Sequence, residues 1–467
     1  MEEKDRAFMK VFLTHGYFLN DDPKEQQIMR PYPPLGLLYI SAWLQKHGVA
    51  THVHDSTFSS YGKLIEDIIS QRPEVVGIYA NLMTRANVVR LIHAIKEHPE
   101  TAGTRIVIGG PEARNHADRF LKHGADFVVF GEGEQTMLDL VQHLERGHEP
   151  NTIPGLALRG ANGECIINPD RPLIKNLDEL PMPDRGMIDM NAYYSVWKKH
   201  HGESAVSVNT MRGCPYTCRW CSRAVYGLSY RRRSPAHVAD ELEHIQREIP
   251  ADTIWFVDDV FTISHKWLEG FVNELEMRQL KIRYECITRA DRMNHQVIEL
   301  LKRSGCFRVW IGAESGSQRI IDRMDRRVDV ARVREMIRAA EQAGIQAGTF
   351  IMVGYPGETE TDLKETVKHL KLANPSHFTI TVTYPIKGTE LYDEVSTQIV
   401  HEPEWESSSD RDIVFKRTYD EAYYLQALRW IVNEVNAHKA AKEGDWISFG
   451  SKKLRAAWAR LQMQVLK

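Results

Sequence analysis

The chain has no run of about 18 or more uncharged apolar residues, which argues against a helix that spans a bilayer. It has almost no excess charge of either sign. Its 60 Lys and Arg stand against 63 Asp and Glu, a net of -3, so no global basic field points to nucleic acid. The opening segment Met1 to Lys10 is charged and lacks the apolar core of a signal peptide, making the cytoplasm the expected compartment. No internal repeat or low-complexity tract stands out. Cysteine is scarce: there are six, at 165, 214, 218, 221, 286 and 306, and none in the first 150 residues. So few, three of them tightly grouped, read as a metal site rather than a disulfide framework. Cys165, Cys286 and Cys306 are scattered and read as small buried apolar residues.

What is present is ordinary globular composition, 42% hydrophobic and 26% charged, over 467 residues. At roughly 100–200 residues per domain, that length implies two or three domains. In residues 1–150, apolar runs at Met9–Thr14, Val49–Val53, Val75–Ile78, Arg105–Ile108 and Phe127–Phe130 alternate with amphipathic stretches such as Leu35–His47 and Ala86–Glu97. Five strands alternating with helices predict an α/β fold, a doubly wound parallel sheet whose ligand lies at the carboxyl ends of the strands. Gly109-Gly110 and Gly131-Glu132-Gly133-Glu134 fall there. A complete Gly-x-Gly-x-x-Gly is missing, which disfavours a nicotinamide dinucleotide and leaves ligand loops or simple tight turns as the two readings.

Residues 151–203 read as a connector, a hairpin over Gly155–Ile167 followed by Pro169, Pro172, Pro181 and Pro183. In residues 204–392 the alternation resumes for six units, with strands expected at Val206–Thr210, Thr253–Val257, Arg283–Ile287, Arg308–Ile311, Thr349–Val353 and Phe378–Val382. Six units fall short of an eightfold barrel of about 250 residues, so a partial barrel is expected, with active residues on the loops after its strands. Residues 393–467 read as helical, chiefly Tyr419–Lys442 and Lys452–Leu466, and are expected to cap the barrel with a solvated outer face.

The loop after the first strand of the second half carries Gly213-Cys214-Pro-Tyr-Thr-Cys218-Arg-Trp-Cys221. Three thiolates on one short loop can converge on one metal centre. A structural zinc takes four protein ligands, and no fourth cysteine or histidine lies at a usual spacing; His200 and His201 precede the strand. A cubane iron–sulfur cluster normally takes four thiolates, so three leave one iron open to a small molecule.

This spacing, with Trp220 before the last cysteine, resembles the radical S-adenosylmethionine (SAM) superfamily. The resemblance implies a 4Fe–4S cluster on Cys214, Cys218 and Cys221 whose open iron binds SAM. Reductive cleavage of SAM then gives methionine and a 5'-deoxyadenosyl radical that abstracts hydrogen from carbon. The segments after the other strands are similar to those of the superfamily. By that likeness Asp258, Asp259, Arg289, Glu314 and Ser315 would serve the methionine and ribose ends of SAM, and Gly354, Pro356 and Glu358 the adenine. The chemistry is compatible: carboxylates suit an ammonium and hydroxyls, and a guanidinium suits a carboxylate. Each of these residues also has a plain reading as a helix cap or loop charge.

Ahead of that core, Pro33-Pro34-Leu-Gly36-Leu-Leu-Tyr39, Gly109-Gly110-Pro111-Glu112 and Gly131-Glu132-Gly133-Glu134 resemble the cobalamin-binding branch of the superfamily. Together the two likenesses cover about residues 8–390. They imply cobalamin against Gly109, Gly110, Gly131, Glu132 and Gly133, with Asn81 and Thr84 lining the same pocket. Asp-x-His-x-x-Gly, which supplies a lower cobalt ligand in many cobalamin proteins, is absent; His52-Val-His54-Asp55 has the wrong order. The expected enzyme methylates an unactivated carbon of a small molecule, with an electron donor such as flavodoxin or ferredoxin. The alternative is an oxidative cyclase like the anaerobic magnesium-protoporphyrin ester cyclase. A methylthiotransferase would carry three further N-terminal cysteines, and a non-enzymatic sensor would need no SAM-like strand ends. Nucleic acid is not an expected partner; Trp446, Phe449 and Trp458, set among Lys439, Lys442, Lys452, Lys453, Arg455 and Arg460, leave a peripheral membrane surface as the less favoured alternative to a solvated helical cap. Arg231-Arg232-Arg233 is read as ordering its own loop.

Overall fold

The structure, a computed structural model, describes residues 9–467; Met1 to Phe8, most of the charged opening segment, lie outside the described residues. Strand β1 (Val11–His15) is buried at every position, as a central parallel strand flanked on both faces must be. It pairs in parallel with β2 (Thr51–His54) and β3 (Val75–Tyr79), and the parallel ladder continues through β4 (Arg105–Gly109) and β5 (Phe127–Val129). The hairpin read in the connector does form, as β6 (Leu156–Arg159) and β7 (Cys165–Ile167). It adds two antiparallel strands to the edge of this sheet, in the order β2-β1-β3-β4-β5-β6-β7. The connector also holds a helix that its prolines obscured, Met190–His201. Asp189 caps it by accepting from the N–H groups of Asn191 and Ala192.

The second half builds six parallel strands in sequential order: β8 (Ala205–Val208), β9 (Thr253–Phe256), β10 (Tyr284–Thr288), β11 (Cys306–Glu314), β12 (Gln346–Val353) and β13 (His377–Val382). This is the expected open, partial barrel. Its core joins Val206, Phe256, Tyr284, Val309, Ile311 and Ile351 to the inward faces of the surrounding helices. Full burial of one such side chain stabilises by about 1.5–3 kcal/mol. Most of the loops after the strands stop at a capping residue, the short helix Gln318–Arg323 after β11 being uncapped at Ser317. The side chains of Ser234, Ser264, Asn294 and Asp329 accept the N–H of the third helical residue in their helices, and Thr359 with Asp362 forms a reciprocal capping box. The caps after β8, β9, β10 and β12 fix where those loops end.

Cys286 and Cys306 sit in the barrel core. The C-terminal hairpin of Glu421–Lys442 and Trp446–Val465 packs against the helix Glu360–Ala373. Its outer face is not the polar one expected, since Ile447, Leu454, Trp458 and Val465 are more than half exposed there. Among the described residues no helix is long and apolar enough to cross a membrane.

Candidate functional site

The three grouped cysteines ride on a closed excursion of the chain. Met211–Arg212 pairs antiparallel with Arg231–Arg232, pinching the neck of the loop between them. Gly213 begins the excursion with φ +83°, and a Cβ there would lie 2.7 Å from the Ser229 carbonyl oxygen, so only glycine fits. Farther out, the Arg219 N–H donates to the Met324 carbonyl (3.1 Å) and the Leu391 N–H to the Arg219 carbonyl (2.9 Å). Within the loop the Cys221 N–H donates to the Cys218 carbonyl at 3.2 Å.

Two guanidiniums face the buried Cys218 sulfur, Arg326 Nη1 at 3.6 Å and Arg289 Nη1 at 3.7 Å. A hydrogen bond from Cys221 and then these two positive charges hold the Cys218 thiol below its ordinary value against its burial. Arg289 stacks on Tyr216 at 3.7 Å and donates to the Arg326 carbonyl, while Arg326 lies 3.4 Å from Glu314. Glu314 takes a left-handed φ of +64°, a strained conformation for a non-glycine residue, where the end of β11 turns toward the thiols. Burial raises its carboxyl, with Arg326 opposing. Three thiols and two buried guanidiniums suit an anionic iron–sulfur cluster, whose sulfurs accept hydrogen bonds from cations.

Beside this loop a cavity opens between the strand ends of the two sheets, with about 1300 Å³ of atom-free space including its mouth. Gly109, Gly110, Gly131, Glu132 and Gly133 line one side, and Asn209, Arg212, Val225, Tyr226 and Val257 the other. The two strand-end faces therefore point at each other, as a shared site requires. Gly110 (φ +99°) leaves no room for a side chain, since a Cβ would meet the Ala80 carbonyl oxygen at 2.4 Å. The floor is apolar, with Leu13, Leu37, Ile78, Val107 and Met137, and among the described residues no histidine lines it. Such a cradle fits a flat corrin held by backbone and apolar contact, and its lack of histidine agrees with the absent Asp-x-His-x-x-Gly.

A network of buried charge joins the halves across this cavity. Arg212, two residues before Cys214, donates to Glu132 (2.9 Å) and Glu134, and Arg231 donates to Glu132 (2.7 Å). The Ile174 N–H completes the Glu132 shell at 2.8 Å. Arg212 also lies between the rings of Tyr39 (5.4 Å) and Tyr226 (5.5 Å). On the other flank Arg85 bridges Glu112, which follows Gly110-Pro111, to Asp410 (3.1 and 2.8 Å).

Comparison with known proteins agrees. The radical SAM superfamily profile matches residues 208–370, and the B12 binding domain profile matches residues 28–141. An uncharacterized methyltransferase of Pyrococcus horikoshii is 30% identical over 393 residues, covering 82% of this chain and 83% of the relative. The chain belongs to the radical SAM superfamily. The anaerobic magnesium-protoporphyrin IX monomethyl ester cyclase of Rubrivivax gelatinosus is 26% identical, covering 84% of this chain and 71% of its own. The fold is also that of TsrM from Kitasatospora setae, a radical SAM methyltransferase solved with cobalamin and a 4Fe–4S cluster. The two superpose with a TM-score of 0.70 at 18% identity over 84% of this chain and 75% of TsrM. This radical SAM enzyme thus carries a B12-binding domain, and its cofactors are a 4Fe–4S cluster, SAM and cobalamin.

Several sequence expectations need correction in this setting. Asp258 is spent within the fold: it accepts from the N–H groups of Thr210 (2.7 Å) and Met211 (3.2 Å) and lies 3.4 Å from Arg232, so it shapes the neck of the cysteine loop. Its neighbour Asp259 is exposed and near enough to Cys214 to add to the upward push of burial on that thiol. The buried Ser315 hydroxyl accepts from the Ser317 N–H and faces Thr366. Arg289 serves the Cys218 sulfur. Glu132 lines the cavity but gives its carboxylate to Arg212, Arg231 and Ile174. Asn81 and Thr84 close a reciprocal turn after β3, and neither lines the cavity, to which that strand contributes Gly77, Ile78 and Tyr79. Gly354 (φ +80°) and Pro356 shape the loop after β12, where Glu358 accepts the Gly354 N–H at 2.6 Å. Burial pushes Glu358 up to about 8, and its Oε1 has no partner. The sequence reading missed Arg212, Arg326 and Tyr226. Arg231 and its neighbours do order their loop, as expected. Arg232 stacks on Trp267 at 3.5 Å, and Arg233 pairs with Glu241.

Proposed function

We propose that the chain transfers a methyl group to an unactivated carbon of a small molecule. Bound at the two facing sites, the cluster supplies an electron to SAM and cobalamin carries a methyl group. The observation that carries this reading is the single cavity walled by the glycine loops on one side and by the cysteine loop, through Val225 and Tyr226, on the other. A substrate seated there would lie between the glycine loops and the base of the cysteine loop.

The roles of the chain's own residues follow from their chemistry. Cys214, Cys218 and Cys221 hold three irons, and Arg289 and Arg326 offset the negative charge of the cluster on the Cys218 side. Asp259 is the carboxylate open to the ammonium of SAM, and Glu314, 3.4 Å from Arg326, stands beside the thiols. Gly354, Pro356 and Glu358 flank the adenine. Glu358 remains protonated near neutral pH and offers an O–H through its unpartnered Oε1. Gly109, Gly110, Gly131 and Gly133 let backbone approach the corrin. A low-potential donor such as flavodoxin or ferredoxin would reduce the cluster.

An oxidative cyclisation is the second reading, favoured by the likeness to the Rubrivivax cyclase over 84% of the chain. The products of SAM separate the two. Methyl loss leaves S-adenosylhomocysteine, whereas reductive cleavage leaves methionine and 5'-deoxyadenosine. With protein purified anaerobically and iron and cobalamin quantified, methyl transfer yields both product sets in the presence of cobalamin. A cyclase yields 5'-deoxyadenosine alone, and failure to consume SAM at all overturns both readings.

A further inference from the structure

The helix Trp446–Val465 presents two faces that differ from those of an ordinary surface helix. Ala456, Ala459 and Met463 are buried against its partner helix and the barrel. On the opposite side Ile447 is 88% exposed, Leu454 75%, Trp458 64%, Leu461 55% and Val465 75%. At about 100° per residue these five fall within an arc of about 60°. Soluble monomers scatter exposed apolar residues singly; a contiguous stripe marks an interaction surface.

The charge beside the stripe names its occupant. Residues 446–467 contain five Lys and Arg and no Asp or Glu. Lys453 pairs with Glu434 and Lys467 with Glu360, which ties the helix to the body of the protein. Among the described residues no carboxylate lies within ion-pair distance of Lys442, Lys452, Arg455 or Arg460; Arg455 is exposed and flanks the stripe, whereas Arg460 lies over the Trp430 ring at 5.8 Å. In the adjoining groove Lys364 shares Glu360 with Lys467 and Lys371 shares Glu434 with Lys453, two lysines to each carboxylate, and Lys368 adds a further cation. A second copy docked on this stripe would bring like charge against like. An anionic bilayer surface complements both features: apolar side chains enter the acyl boundary, Trp446 and Trp458 sit at the headgroup level, and cations meet anionic lipid.

We infer that the outer face of Trp446–Val465 seats the enzyme on an anionic membrane surface as a peripheral, interfacial helix. The test is co-sedimentation of the full chain with phosphatidylcholine vesicles, with and without phosphatidylglycerol. The parent binds the anionic vesicles at low salt, and added salt weakens the binding. Arg455→Gln lowers the partition about fivefold on anionic vesicles only, one cation near the surface being worth about 1 kcal/mol. The pair Leu454→Ser and Trp458→Ser lowers it at least about tenfold on the cost of exposing apolar area. These residues are exposed, so the thermal transition of the variants stays that of the parent; Ile447→Ser is a second probe of the same face. The inference is overturned if the parent ignores anionic vesicles, or if the serine variants bind as well as the parent. It is also overturned if the parent is a dimer that those substitutions dissociate, which would make the stripe a contact between copies.

Discussion

Arg212→Met tests the charge network that holds the two halves around the cavity. Arg212, Glu132 and Glu134 are 4%, 5% and 4% exposed. Glu132 keeps Arg231 at 2.7 Å and the Ile174 N–H at 2.8 Å when Arg212 is lost. Among the described residues Glu134 has Arg212 as its one ion-pair partner, and without it this buried carboxylate keeps only its own N–H and the more distant charge of Arg231. Breaking such a pair from one side costs about 3–5 kcal/mol. At about 2–4 °C per kcal/mol for domains of this size, the thermal transition falls by roughly 6–20 °C. Differential scanning calorimetry of the anaerobic apo protein measures it. Adding Glu134→Gln removes the stranded charge and restores most of the loss.

The pH dependence has a fixed sign. Burial raises Glu134, but Arg212 outweighs it and holds the carboxyl below its ordinary value. In the parent this contributes stability above the unfolded value that is lost as pH falls. In Arg212→Met the upward push of burial is opposed only by the Glu134 N–H and the charge of Arg231, so the defect grows as pH rises through the carboxyl range. The reasoning fails if Arg212→Met melts within about 2 °C of the parent, or if Glu134→Gln does not rescue it.

Other substitutions probe individual parts. Gly110→Ala places a Cβ 2.4 Å from the Ala80 carbonyl oxygen, so cobalamin content after reconstitution falls sharply while iron content holds. Its left-handed φ adds about 1–2 kcal/mol of strain, readable as a lower melting temperature of the apo protein. Cys218→Ala lowers iron content, whereas Cys286→Ala and Cys306→Ala, both in the barrel core, leave iron unchanged and cost only stability. Glu358 is raised from 4.5 to about 8 by burial, so the stability it contributes is full below 4.5 and lost as pH rises through about 8. Glu358→Gln removes that slope, and its melting temperature gains on the parent between those limits.

The parts of the site that were legible in the sequence depend on backbone. The alternation of apolar runs placed each barrel strand to within a few residues, and the strand ends located the loops without reference to side chains. Glycines at Gly110 and Gly213 mark conformations that other residues resist. What stayed hidden depends on where one side-chain oxygen points. Asp258 and Ser315 have the residue types that a SAM site needs, yet their acceptors are filled by Thr210, Met211 and Ser317. Asn81 and Thr84 satisfy each other. Arg326 was invisible because it stands in Arg323–Arg327, a charged stretch that reads as solvated surface. Only the fold turns it onto Cys218, more than a hundred positions away. The helix Met190–His201 was masked by the prolines before it, although Asp189 was there as its capping signal. The outer face of Trp446–Val465 reverses the usual rule that the solvent side of a capping helix is polar.

The central claim is methyl transfer at a cavity shared by cluster and cobalamin. SAM bearing a trideuterated methyl group, given to the anaerobic, reduced and cobalamin-loaded enzyme with a metabolite extract, tests it most directly by product mass. The account predicts a product carrying the intact trideuteriomethyl group, formed only when cobalamin is present, together with S-adenosylhomocysteine. A product that has lost hydrogen and gained no label, with SAM converted to 5'-deoxyadenosine whether or not cobalamin is present, contradicts it.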